Sequence, residues 1–238
     1  MKRTIGMIVP PAAGKVPPEA RSLYGDRFEF IAAGVDIAAL DHDNYNAAVK
    51  RIPAAVDDLV ARGAEAIGVM GTSLTFVLGR EFEDRLTHDL KLRTGLPVVT
   101  MASSIVNALH AVGATSVALA AAYDEEITQY MVTFLTGHGF RVTDAVPMGL
   151  VAVGDVLATG TENIVDAGKR ALEGPRPDAL VISCGGLQTI QATQQLEELF
   201  DLPVISSAVA GPWGAVRLLG DSGEATFGGR LLRTPHAA

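Results

Sequence analysis

The sequence predicts an α/β fold made of two pseudo-symmetric half-domains, each a mostly parallel sheet flanked by helices, with an active-site cleft between them. Three observations predict it. Short β-rich runs alternate with amphipathic stretches of helical period, the signature of parallel strands joined by crossover helices. The order of elements in the first half returns in the second. Two segments, VMGTSL and ISCGGL, align without a gap, so that Gly71 falls on Cys184, Thr72 on Gly185 and Ser73 on Gly186.

The first half opens with TIGMIVP, a strand over residues 4–10 that ends in a Pro-Pro turn, and FEFIAAGV supplies a second strand. A helix over residues 44–62 sets Val49, Ile52, Val56, Leu59 and Val60 on one face. Asp43 is its cap and Gly63 its stop, and Pro53 should kink it or shorten its first part. AIGVM is a buried strand leading into GTS. A helix over residues 76–93 ends before Gly95, LPVVTM is the next strand, and a short helix over residues 103–112 closes the half.

The second half follows suit. SVALAAAY is a strand, a helix covers residues 125–135, and strand-like RVTDAVPMGL precedes a helix over residues 162–172. DALVIS is the strand that reaches Cys184; a helix over residues 190–200, the strand LPVISS and a last helix over residues 213–219 complete the repeat. LPVVTM and LPVISS hold the same slot. The half-domains are expected over residues 1–113 and 114–220, with the C-terminal helix packing back on the first. Residues 221–238 form a polar, glycine-rich tail without a functional signal.

Composition narrows the function. With 238 residues, 48% of them hydrophobic, the chain buries a core without covalent staples. A net charge of −8 and the lack of a basic cluster argue against nucleic acid. No apolar run reaches the roughly 18 residues of a membrane span, and the N-terminus lacks the apolar core of a signal peptide. A cytoplasmic, monomeric protein is the expectation, the sheets accounting for the apolar faces of the helices. The lone cysteine excludes an internal disulfide, and the five scattered histidines include no HExxH, so no metal site is expected.

In open parallel sheets, ligands bind beyond the carboxyl ends of the strands. Both aligned loops lie at such ends. GTS offers the hydroxyls of Thr72 and Ser73 and the N–H groups of a helix entrance, which together suit an anion. Cys184 precedes Gly185 and Gly186, whose bare backbone admits a close ligand. Tyr123 lies at a third strand end, which brings its phenol within reach of the same cleft. Each has a bland reading: a lone cysteine is more often filler, a Gly-Gly pair a turn, a Ser-Thr pair a cap. Their convergence on strand ends of a duplicated fold favours chemistry.

The motifs IGMIVPPAAG, MGTSL and SCGGL, with the tyrosine after the central strand, resemble the arylmalonate decarboxylase family of the aspartate/glutamate racemase superfamily over about residues 4–219. The resemblance implies a cofactor-independent lyase acting on a small dicarboxylate. It makes Cys184 the proton donor, and gives Thr72, Ser73, Tyr123 and N–H groups around Gly185 to a dioxyanion hole, with Gly71 and Gly186 beside the substrate. Ile37, Leu40, Val153 and Val156 fall in the family's aliphatic pocket around the departing carboxylate. Pro10, Pro11 and Gly14 match the loop near the aromatic group.

Racemisation needs a base on one face of the carbon and an acid on the other. Gly71, at the position matching Cys184, is neither, so a two-thiol racemase or maleate isomerase is disfavoured. Decarboxylation generates its own carbanion and needs only the acid. Two rivals stay open: a racemase or isomerase with another second base, revealed by exchange of an α-hydrogen, and a small-acid binding protein without catalysis, revealed by tight binding with no CO2 release.

Overall fold

The computed structural model describes residues 2–233. The first half comprises β1 (Arg3–Val9), α1 (Pro18–Tyr24), β2 (Phe28–Gly34), α2 (His42–Val49), α3 (Ile52–Ala61), β3 (Ala66–Val69), α4 (Thr72–Phe76), α5 (Arg80–Thr94), β4 (Val98–Thr100) and α6 (Met101–Ala111). The second comprises β5 (Ser116–Ala121), α7 (Glu125–Gly137), β6 (Arg141–Pro147), α8 (Val153–Ala158), α9 (Thr161–Ala171), β7 (Ala179–Ser183), α10 (Ile190–Phe200), β8 (Val204–Ser206) and α11 (Ser207–Arg217), and α12 (Arg230–Arg233) follows.

The strands form two four-stranded sheets, ordered β2-β1-β3-β4 and β6-β5-β7-β8, with every pairing parallel. The strand order is the same in both. Helices cover the sheets, so central strands such as β5 and β7 are buried along their whole length and read as continuous small or branched apolar runs.

Local chemistry is duplicated as well. Where β1 meets β3, the Glu65 carboxylate accepts the N–H of Thr4 at 3.0 Å; where β5 meets β7, Asp178 accepts the N–H groups of Thr115 and Ser116 at 2.9 and 2.8 Å. Thr100, ending β4, caps α6 by accepting from Ser103, and Ser206, ending β8, caps α11 by accepting from Val209. Both hydroxyls satisfy first-turn N–H groups that lack a helical partner.

Several boundaries differ from the sequence expectation. The helix expected over residues 44–62 is two, α2 and α3, interrupted at Lys50 and Arg51. Pro53 lies in the first turn of α3, where its missing N–H is not needed. The helix expected over residues 76–93 starts earlier, at Thr72, and is divided at Gly79, whose φ of 84° favours glycine. The last helix of the repeat begins at Ser207 rather than 213 and runs through Pro212. Two short helices, α1 and α8, carried no clear periodicity.

The halves are joined through α6 and α11, which pack on one another. A side chain at Gly214 would put its Cβ 2.2 Å from Ser104 Oγ, so the close approach requires glycine there. A second link is an antiparallel bridge between Ala39 and Ala152, with Leu40 N–H donating to Val151 at 3.0 Å. The chain after Gly220 is also tied down as far as it is described. Arg27 grips Asp221 at 3.0 and 2.9 Å, Tyr24 Oη donates to the Gly223 carbonyl at 2.8 Å, and Arg230 N–H donates to Glu197 at 2.8 Å. Residues 234–238 of the expected tail lie outside the described residues. Among the described residues, no helix is long and apolar enough to cross a membrane.

Candidate active site

The carboxyl ends of β1, β3 and β7 open onto a cavity of about 390 Å³. From the first half come Val9, Pro10 and Pro11 at the end of β1, Leu40, and Met70, Gly71, Thr72 and Ser73 between β3 and α4. From the second come Cys184, Gly185 and Gly186 after β7, and Val153, Val156 and Leu157 of α8. The two aligned loops thus face one space. The bridge at Ala39 and Ala152 brings Leu40 and Val153 together, so the wall they form is aliphatic.

Cys184 is held at φ 153°, a conformation L-residues seldom adopt and one that costs on the order of 1–3 kcal/mol. Its N–H donates to Ser207 Oγ at 3.2 Å and its carbonyl accepts from Leu187 N–H at 3.3 Å, closing a tight turn. Side chains after Cys184 would crowd the site. A Cβ at Gly185 would lie 2.5 Å from Met101 Sδ, and one at Gly186 would lie 2.9 Å from Val156 Cγ1. Burial pushes the Cys184 thiol above its ordinary value, opposed by the Gly186 N–H and the Tyr123 hydroxyl. The group therefore stays S–H at neutral pH.

Gly71 has φ −125°, which any residue adopts, so conformation does not demand glycine. Space is limited: a Cβ would meet Leu74 Cβ at 3.1 Å and Pro10 Cγ at 3.2 Å. Thr72 and Ser73 are buried in the first turn of α4, where backbone N–H groups have no helical acceptor. Thr72 Oγ1 donates to Met101 Sδ at 3.1 Å, a weak acceptor.

Three expected site residues stand behind the wall rather than on it. Tyr123 is fully buried; its hydroxyl accepts from Ser183 Oγ at 3.4 Å and interacts with Cys184 and Thr72. Ile37 donates its N–H to the Pro10 carbonyl at 2.8 Å and supports the proline from behind. Gly14, at φ 56°, donates to the Pro11 carbonyl at 3.1 Å and closes the turn that presents Pro10 and Pro11.

Other residues escaped sequence reasoning. Tyr45, on the buried face of α2, sets its hydroxyl beside Ser73 without a hydrogen-bond partner of good geometry. Lys15, Glu19 and Gln188 line the cavity too, and only their proximity to VPPAAG and SCGG in the sequence hinted at this. Among the described residues, no group of three or more His, Cys, Asp and Glu side chains is arranged to hold a metal ion. The arrangement is one protonated thiol, a set of hydroxyl and N–H donors and an aliphatic wall, with no base at the position matching the thiol.

The chain matches the family model described as arylmalonate decarboxylase over residues 5–232. It is 39% identical over 231 residues to the arylmalonate decarboxylase of Bordetella bronchiseptica, covering 96% of each chain. A solved arylmalonate decarboxylase carrying one glycine-to-cysteine and one cysteine-to-serine substitution, in a liganded form, matches with a TM-score of 0.94 at 37% identity, covering 97% of this chain and 99% of that one. The maleate isomerase Iso from Pseudomonas putida S16 has the same fold, with a TM-score of 0.91 at 20% identity over 99% of this chain and 100% of that one. This chain belongs to the arylmalonate decarboxylase family.

Proposed function

We propose that the protein decarboxylates disubstituted arylmalonates without a cofactor and releases a single enantiomer of the α-aryl acid. The observation that carries this reading is the pairing of Cys184 with Gly71 at matching strand ends on one cavity, a thiol with no base at the matching position.

One substrate carboxylate lies against Leu40, Val153 and Val156, where loss of water favours neutral CO2 over the anion. The bond from the α-carbon to this carboxyl breaks, and its electron pair stays with the substrate as an enediolate. The retained carboxylate is held by the Thr72 and Ser73 hydroxyls and by N–H groups around Gly71 and Gly185. Tyr123 acts from behind, on Thr72 and the thiol. One such donor is typically worth about 2.7–4 kcal/mol of barrier. Cys184 then transfers its proton to the face of the α-carbon turned toward it, and the thiolate recovers a proton from solvent. Pro10 and Pro11 pack on the aromatic ring.

The same reading takes the enzyme to be monomeric and cytoplasmic. The test is purified protein with phenylmalonate, free of metal and cofactor, monitored for CO2. Release at a rate proportional to enzyme supports the reading. Tight binding of phenylacetate with no CO2 released would instead mark a binding protein.

A further inference from the structure

The active cavity shares a wall with a second one. Pro18, Glu19 and Gln188 line both, and the outer cavity, of about 370 Å³, continues past Ser22 of α1 and Gln191 of α10 to Phe227. The two differ in character. The inner one is lined by prolines and aliphatic side chains together with Thr72, Ser73 and Lys15, whereas the outer carries the hydroxyls of Ser22 and Thr161 and the amides of Gln188 and Gln191, with Glu19 the one charged side chain among the described residues on its wall.

Glu19 is 4% exposed, and one of its carboxylate oxygens accepts the Thr189 N–H at 3.2 Å. Among the described residues, no ion pair reaches it. A buried carboxyl without a cation is costly, and a carboxylate has capacity for several donors. It stands where the two cavities meet, and the backbone N–H groups of Thr189 and of Glu19 itself, its two backbone donors, leave part of that capacity open. A cationic donor arriving from the inner cavity would satisfy it.

We propose that the substrate is an arylmalonate whose ring bears an amine on a short tether, with the ring in the inner cavity and the ammonium group on Glu19 in the outer one. This rests on the decarboxylase reading and names the substrate class for the same site. It also gives the segment after Gly220 a part to play, since Phe227 lines the outer cavity.

The experiment compares phenylmalonate with 4-(ω-aminoalkyl)phenylmalonates of one to three methylenes, in the wild type, Glu19→Gln and Gln191→Trp. Gln at 19 keeps an acceptor for Thr189 and removes the charge; Trp at the exposed position 191 fills the outer cavity. The readout is the ratio of kcat/KM for the best amine to that for phenylmalonate. A charge-assisted bond predicts a ratio of about tenfold or more in the wild type, falling toward one in both variants. Turnover of phenylmalonate with no amine preferred, or a preference surviving either substitution, overturns the outer subsite. CO2 release from none of the compounds overturns the decarboxylase reading, and this inference with it.

Discussion

Gly71 and Cys184 end the matching central strands of two duplicated sheets and line one cavity, yet only one of them carries a side chain that exchanges a proton. The asymmetry separates quenching a carbanion from making one. Gly71→Cys should therefore introduce exchange of the α-hydrogen of α-aryl acids, read by NMR in deuterated buffer. The added Cβ meets Leu74 and Pro10 at 3.1 and 3.2 Å, so the variant should also lose stability. Overpacking of this kind typically costs about 1–3 kcal/mol, measured by urea unfolding. Absence of exchange in a folded variant would mean that the two loops are not functional mirrors.

Cys184→Ser should keep the fold and lose most turnover. Losing a positioned proton donor typically lowers the rate roughly 100- to 10,000-fold. A kcat within a few-fold of wild type would remove the thiol from the mechanism.

The pH profile follows from burial. In the proposed mechanism the thiol reacts protonated, and its pKa is raised by desolvation, above the ordinary value of about 8.5. The rate should stay level through neutral pH and fall only as pH rises through the raised value. A decline near pH 7, with the substrate fully ionised, would contradict a protonated donor.

Tyr123→Phe separates support from contact. The Tyr123 hydroxyl lowers the thiol's pKa by hydrogen bonding, so its removal should move the alkaline limb to higher pH while kcat falls. A lower kcat with an unmoved limb would show that the phenol acts on the substrate alone.

Much of this was legible in the sequence because duplication supplies an internal control. The repeat of LPVVTM and LPVISS located β4 and β8, and the gapless pairing of VMGTSL with ISCGGL picked out two loops that line one cavity. Periodicity failed where packing or turns overrode it. It merged α2 with α3 and missed the break at Gly79, because neither interruption changes the apolar spacing enough to register. Depth was equally hidden. Tyr123, Ile37 and Gly14 each touch wall residues, at Cys184, Pro10 and Pro11, but only the folded chain decides which side chains face the cavity. Tyr45 and Glu19 lie on the buried faces of short surface helices, and only tertiary packing brings them to the site.

The most direct test is a single NMR time course of wild-type enzyme with α-methyl-α-phenylmalonate in deuterated buffer. One acid without a base predicts a single deuterium at the α-carbon of the product, one enantiomer, and no later exchange or racemisation as the product stands with enzyme. Continued washout at that carbon, or a racemic product, would contradict it.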